Sequence, residues 1–119
     1  MNRYLTFPFL IRAGLACVFL SQSITAFVAP AEFLDLVSNS FVAGLLPVSV
    51  ATFVTFIGFN DFAVAALLFS GWKTNRVATY ASLWLLGVIV VIGVASLDAL
   101  EHLGFLAMSI SLAARRSAE

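Results

Sequence analysis

Residues 48–72 carry the stretch that decides the fold: VSVATFVTFIGFNDFAVAALLFSGW. A transmembrane helix needs about 20 mostly apolar residues to cross a hydrocarbon core about 30 Å thick. This run is long enough, starts just after Pro47 and ends at Trp72, an aromatic residue of the kind found at membrane interfaces. We therefore predict a membrane-spanning helix with the polar pair Asn60 and Asp61 near its middle.

Three further runs of the chain have the apolar character of membrane spans. They cover residues of about 7–28, 77–97 and 98–114. The last run has the fewest uninterrupted apolar residues, but these surround the helix on all sides, which favours a span over a surface helix. Together the runs predict an all-α, integral membrane four-helix bundle that forms a single transmembrane domain over residues 1–119.

The segment between the first two spans, from Pro30 to Pro47, mixes apolar and polar residues. Apolar side chains alternate here with Glu32, Asp35 and a run of Ser and Asn. We predict a short amphipathic helix that lies on the outer membrane surface.

Composition and charge exclude several classes of protein. Hydrophobic residues make up 62% of the 119 residues, charged residues only 10%, and the mean hydropathy is +1.09. A water-soluble domain of this size could not bury so much apolar surface, so lipid must be the solvent for much of it. A net charge of zero provides no basic field to hold nucleic acid. A single Cys and a single His exclude an intrachain disulfide, a zinc site and a bis-histidine haem site, so we expect neither a metal nor an intrinsic cofactor.

The distribution of basic residues predicts the orientation of the chain. With four spans, every Lys and Arg falls at one membrane face, which the positive-inside rule assigns to the cytoplasm. Both termini should therefore be cytoplasmic, in the plasma (inner) membrane. The first span starts like a signal peptide, but Arg12 interrupts its apolar core, and we expect it to remain as a membrane helix. The basic residues are Arg3, Arg12, Lys73, Arg76, Arg115 and Arg116.

Asp61 is the leading candidate for a functional residue. A carboxylate at the centre of a membrane helix costs about 2.5–3.5 kcal/mol on insertion scales, so it should face the bundle interior with a partner or be protonated. Gly58, Asp61 and Ala65 share one helix face, a stripe that lets another helix approach closely. Asp61 is thus either a carboxylate that handles protons or binds a ligand, or an interhelical hydrogen-bond acceptor that fixes packing. Asn60 is predicted to point to a different side of the helix.

Arg12 is the obvious counter-charge for Asp61, but its depth leaves the pair open. Its Cα lies about 8 Å on the cytoplasmic side of the midpoint of its span, and the two side chains lean apart. Snorkelling of Arg12 to cytoplasmic phosphates is the alternative. In that case the polar residues just outward of the midpoint, including Gln22 and Ser23, are the rival partners of Asp61.

Asp98, Glu101 and His102 form an acidic and histidine cluster at the outer end of the fourth span. Asp98 and His102 are spaced four residues apart and could form a pH-sensitive pair. Such a cluster most often marks a helix start at the water interface, because acidic residues in a first turn interact favourably with the helix dipole.

Residues 58–78, GFNDFAVAALLFSGWKTNRVA, resemble the signature of the DoxX-like family, in which a Gly and a helix-embedded acid precede an apolar run, a Gly and a short basic turn. The first span is similar as well, with Arg12 followed by Gly14-Leu15 and Val18-Phe19-Leu20. Two positions depart from the pattern. The family usually carries Glu where Asp61 stands, and a Lys near the outer end of span one, where this chain has Ser23-Ile24-Thr25.

The resemblance covers essentially the whole chain and implies a small four-helix membrane protein. Some relatives are subunits of thiosulfate:quinone oxidoreductase or associate with membrane oxidoreductase and thiol-stress systems. The first hypothesis is therefore a non-catalytic or quinone-contacting subunit of a membrane oxidoreductase, with Arg12 and Asp61 lining an intramembrane pocket and a quinone as the bound molecule. The alternatives are a structural or assembly subunit of a larger complex, and a small proton-coupled carrier. The expected partners are the lipid bilayer and other subunits or further copies of the chain.

Overall fold

The computed structural model of the protein describes residues 7–92 and 97–114. Within these ranges all regular structure is helical, which confirms the all-α expectation for this part of the chain. The elements are α1 (Phe7–Val28), α2 (Ala31–Ser38), a 3-10 helix (Phe41–Leu45), α3 (Val50–Ser70), α4 (Thr74–Ile92) and α5 (Leu97–Ala114).

Three of these helices are long and apolar enough to cross a membrane. They are Pro8–Val28, Val50–Ser70 and Thr74–Val91, which correspond to the first three predicted spans. The apolar part described for α5, Leu100–Ala114, is shorter.

The turn between α3 and α4 shows why the helices end where they do. Gly71 adopts the left-handed conformation (φ 76°) and its N–H donates to the carbonyl oxygen of Leu67, a common C-terminal helix stop. The hydroxyl of Thr74 donates to the carbonyl oxygen of Gly71, and α4 starts there. The helix α4 therefore begins three residues before the predicted Val77, because Arg76 is accommodated in its first turn.

The outer segment is not one continuous helix. It consists of α2, which has two turns, and the 3-10 helix, separated at Asn39 and Ser40. The hydroxyl of Ser40 donates to the carbonyl oxygen of Val37 and accepts the N–H of Val42. Such local side-chain bonds compete with helix continuation and explain the break. Glu32 and Asp35 are exposed, whereas Val37 is buried, so α2 has the amphipathic character predicted.

The long helices form two antiparallel pairs. α1 packs along α3 and α4 packs along α5, while α3 and α4 touch at far fewer points. One hydrophobic core nevertheless joins all four helices, and its largest fully buried members include Phe19, Leu15 and Leu68. Many large apolar side chains lie outside this core and are exposed on the surface of the bundle, among them Phe56, Phe59, Phe62, Leu83, Leu86 and Ile110.

Candidate functional site

Asp61 lies in the interior of the bundle. Its side chain is only 3% exposed, and Gly58 and Ala65 are buried on the same face of α3. The side-chain amide of Asn60 donates to Oδ1 of Asp61 over 3.2 Å. The indole of Trp84, on α4, provides a second polar contact to this carboxylate. The partners of Asp61 are thus Asn60 and Trp84, and neither Arg12 nor Ser23 takes this role.

Asn60 connects Asp61 to the neighbouring helix. The hydroxyl of Tyr80 donates to Oδ1 of Asn60 in a short hydrogen bond, so a polar chain runs from Tyr80 through Asn60 to Asp61. Tyr80 and Trp84 are four residues apart on α4 and therefore lie on one side of that helix. Neither residue was predicted as part of the site from the sequence. Their spacing of four residues, on the helix that follows the one carrying Asp61, is the signal that could have indicated them.

A groove with a volume of about 360 Å³ is lined by residues of α3 and α4. It is open along one side, and most of its lining is apolar. Asn60 and Tyr80 are polar lining residues at the end of the groove farther from the α3–α4 turn, whereas Arg76 lies near that turn, in the first turn of α4. Asp61 does not line the groove, but it contacts Asn60, which does. The lining residues are Asn60, Ala63, Val64, Leu67, Arg76, Val77 and Tyr80.

Asn60 and Tyr80 keep unused hydrogen-bonding groups after forming the polar chain with Asp61. One amide hydrogen of Asn60 is used by Asp61, and the Tyr80 hydroxyl hydrogen is used by Asn60. A second amide hydrogen of Asn60 and the lone pairs of the Tyr80 oxygen are the groups these side chains can offer to a ligand. The site can therefore hold a molecule with an apolar body and a carbonyl or hydroxyl group.

Ser23 serves the packing of α1 against α3. It is buried, and its hydroxyl donates to the carbonyl oxygen of Gly58 over 2.8 Å. A Cβ at position 58 would lie 2.7 Å from the ring of Phe27, so a larger residue there would require this ring to move. Gln22 is partly exposed, and the described part of the chain provides no hydrogen bond to its side chain.

Arg12 extends to the end of the bundle that carries the α3–α4 turn. Its Nη1 atom would be 2.9 Å from a Cβ built on Gly71, so the guanidinium lies directly on that turn. The guanidinium also lies 5.4 Å from the ring centre of Phe9. This placement agrees with snorkelling, and it separates Arg12 from Asp61 by about three turns of α3, or about 15 Å.

The outer acidic and histidine cluster is only partly described. Glu101 is exposed in the second turn of α5, and His102 packs edge-on against the ring of Phe105. The side chain of Asp98 lies outside the described residues, so its predicted pairing with His102 stays a prediction.

Polar side chains also join α4 to α5 away from the groove. The buried hydroxyl of Ser109 donates to the carbonyl oxygen of Ala78 and accepts from Ser82. The amide of Asn75 donates to the carbonyl oxygens of Leu112 and Ala113 at the end of α5. These contacts were missed in the sequence, where single Ser and Asn residues are not distinctive.

Within residues 7–92 and 97–114, no group of three or more His, Cys, Asp or Glu side chains is arranged to hold a metal ion. Comparisons of the chain with protein families, curated proteins and solved structures find no match.

Proposed function

We propose that the protein is an integral protein of the plasma (inner) membrane with four spans and both termini in the cytoplasm. Three helices have the length and apolarity of spans, and α5 with its 18 residues is about 27 Å long. The described basic residues Arg12, Lys73 and Arg76 lie at one end of the bundle, as the positive-inside rule requires.

Labelling of single cysteines tests this topology. In a Cys17→Ser background, Ser38→Cys in the outer segment should react with a membrane-impermeant maleimide on intact cells. Lys73→Cys in the turn after α3 should react only after the membrane is permeabilised, because the bilayer blocks the reagent. Reaction of both cysteines on intact cells would contradict the topology.

We further propose that the groove between α3 and α4 holds a quinone. The protein would then be a non-catalytic, quinone-contacting subunit of a membrane oxidoreductase. The observation that carries this proposal is the combination of an apolar groove, open at its side, with the polar pair Asn60 and Tyr80 in its lining. A quinone has a flat apolar ring with carbonyl acceptors and an isoprenoid tail. The amide of Asn60 suits a carbonyl, and the open side of the groove lets the tail pass into lipid.

The electrons for such a quinone would come from a partner subunit. With one Cys and one His, the sequence has too few ligands for a haem, zinc or iron–sulfur centre of its own. The role of this chain is then to position the quinone head at Asn60, whose amide is in turn held by Asp61. The DoxX-like resemblance supports the same assignment by analogy only.

A pair of matched substitutions on α3 tests the quinone site. Ala63 and Ala66 are both exposed, but only Ala63 lines the groove. Ala63→Phe should fill the groove and lower the quinone recovered with the gently purified protein by about tenfold or more. Ala66→Phe, which adds the same side chain outside the groove, should leave recovery unchanged. Mass spectrometry of lipophilic molecules and co-purifying proteins is the measurement, and a wild-type protein without quinone or redox partner would overturn the proposal.

A structural role in a larger complex is the second candidate, and one observation favours it. The contacts of Asp61 are all within the bundle, to Asn60 and Trp84, and its carboxylate does not line the groove. Under this alternative, Asp61→Asn lowers the stability of the bundle without changing any bound molecule. Under the quinone proposal the same substitution reorients Asn60 and weakens quinone retention, so one variant separates the two functions.

A further inference from the structure

Among the described residues, Arg12 is a cation without a carboxylate partner, and it lies near the end of the bundle that carries the α3–α4 turn. Its Cα lies five residues into α1, about 7.5 Å from the helix start, but the side chain reaches back to Gly71 at the end of α3. Trp72 and Lys73, which follow directly, are residue types that favour the interface between lipid and water. The guanidinium therefore lies at the depth of lipid head groups rather than in the hydrocarbon core.

The protein itself neutralises little of this charge. Among the described side chains no carboxylate contacts Arg12, and its buried Nε atom has no hydrogen-bond partner. The C-terminal end of α3 offers at most about half a negative charge. One carbonyl there, that of Leu67, already accepts from the N–H of Gly71 and the hydroxyl of Ser70. The ring of Phe9 adds only a weak cation–π contact.

We propose that Arg12, seated on Gly71, binds the phosphate group of an anionic phospholipid in the cytoplasmic leaflet. A guanidinium binds phosphate oxygens through two parallel N–H donors, and both Nη atoms of Arg12 lie beside Gly71 in the α3–α4 turn. Such basic sites between transmembrane helices are a known form of lipid head-group recognition. This inference depends on the membrane topology proposed above and is independent of the quinone.

Native mass spectrometry of the full chain tests the site. The protein is placed in nanodiscs of phosphatidylcholine and phosphatidylglycerol, and the retained lipids are compared. Wild type should retain phosphatidylglycerol with a preference of about fivefold over phosphatidylcholine, and Arg12→Gln should abolish this preference. Arg76→Gln makes the same charge change at the same membrane face and should keep the preference for phosphatidylglycerol. Arg12→Lys should keep part of it, because lysine supplies the charge without the paired donors.

Each other outcome overturns the inference. Equal loss of preference in Arg12→Gln and Arg76→Gln would indicate a diffuse electrostatic attraction without a site. A preference unchanged in Arg12→Gln, together with a lower unfolding midpoint, would indicate that Arg12 only stabilises the end of α3. Displacement of the lipid by millimolar inorganic phosphate would show that free phosphate is the ligand. Quinone measured in the same samples should not change in Arg12→Gln, which keeps a failure of this inference distinct from a failure of the quinone proposal.

Discussion

Replacing Phe19 with alanine is expected to lower the free energy of unfolding by about 3–5 kcal/mol. Phe19 is only 2% exposed and belongs to the core that joins all four long helices. Its removal leaves a cavity that close-packed neighbours cannot fill, so packing contacts to several helices are lost together. The free energy can be measured by SDS titration in mixed micelles, followed by far-ultraviolet circular dichroism.

Phe62→Ala is the matched control for this substitution. Phe62 is 55% exposed on the outside of α3. Its ring therefore contacts lipid or detergent in both the folded and the unfolded state, and its removal changes the difference between the two states little. We expect a change within about 0.5 kcal/mol. Similar losses for Phe19→Ala and Phe62→Ala would show that the core is not where the structure places it.

The second large effect is expected at Gly71, the residue that ends α3. Gly71→Val should lower the free energy of unfolding by about 2–3 kcal/mol, because a β-branched residue is strained at a φ of 76°. Any Cβ at this position also meets the guanidinium of Arg12 at 2.9 Å and pushes it off the turn. The same micelle titration measures the loss.

Gly87→Val separates this backbone effect from the general effect of adding a side chain. Gly87 lies within α4, and no atom lies within 4 Å of a Cβ built on it. The added valine should therefore change stability by less than about 1 kcal/mol. If both variants lose the same stability, the left-handed turn is not the cause.

The long apolar helices could be predicted from sequence because one physical quantity, the length of an apolar run, indicates them. A run of about 20 apolar residues is visible without any tertiary information, and the predicted first span, 7–28, coincides with α1. The break in the outer segment at Asn39 and Ser40 was missed, because it depends on whether a serine hydroxyl binds its own backbone. The helix α4 starts three residues before the predicted span, because the polar residues 74–76 are part of its first turn and not of a loop.

The site was predicted only in part, because its members are distant in sequence. Asp61 stands out since a carboxylate in an apolar helix is costly, and the structure buries it. Its partner Trp84 and the residue Tyr80 are ordinary aromatics in a membrane helix, and only the register of α3 against α4 brings them to Asn60 and Asp61. The direction of the Arg12 side chain likewise depends on the space beside Gly71, a residue that is distant in the sequence.

The pairing of α1 with α3 and of α4 with α5 has a consequence for biogenesis. Synthesis proceeds from the N-terminus, so α1 and α3 are both complete before α4 emerges, and the first pair can assemble while the second is still being made. We expect the α4–α5 pair to join afterwards, and the contacts of Tyr80 with Asn60 and of Trp84 with Asp61 then form. Until α4 is in place, Asp61 lacks the indole of Trp84, so the carboxylate in the incomplete protein has one polar contact fewer.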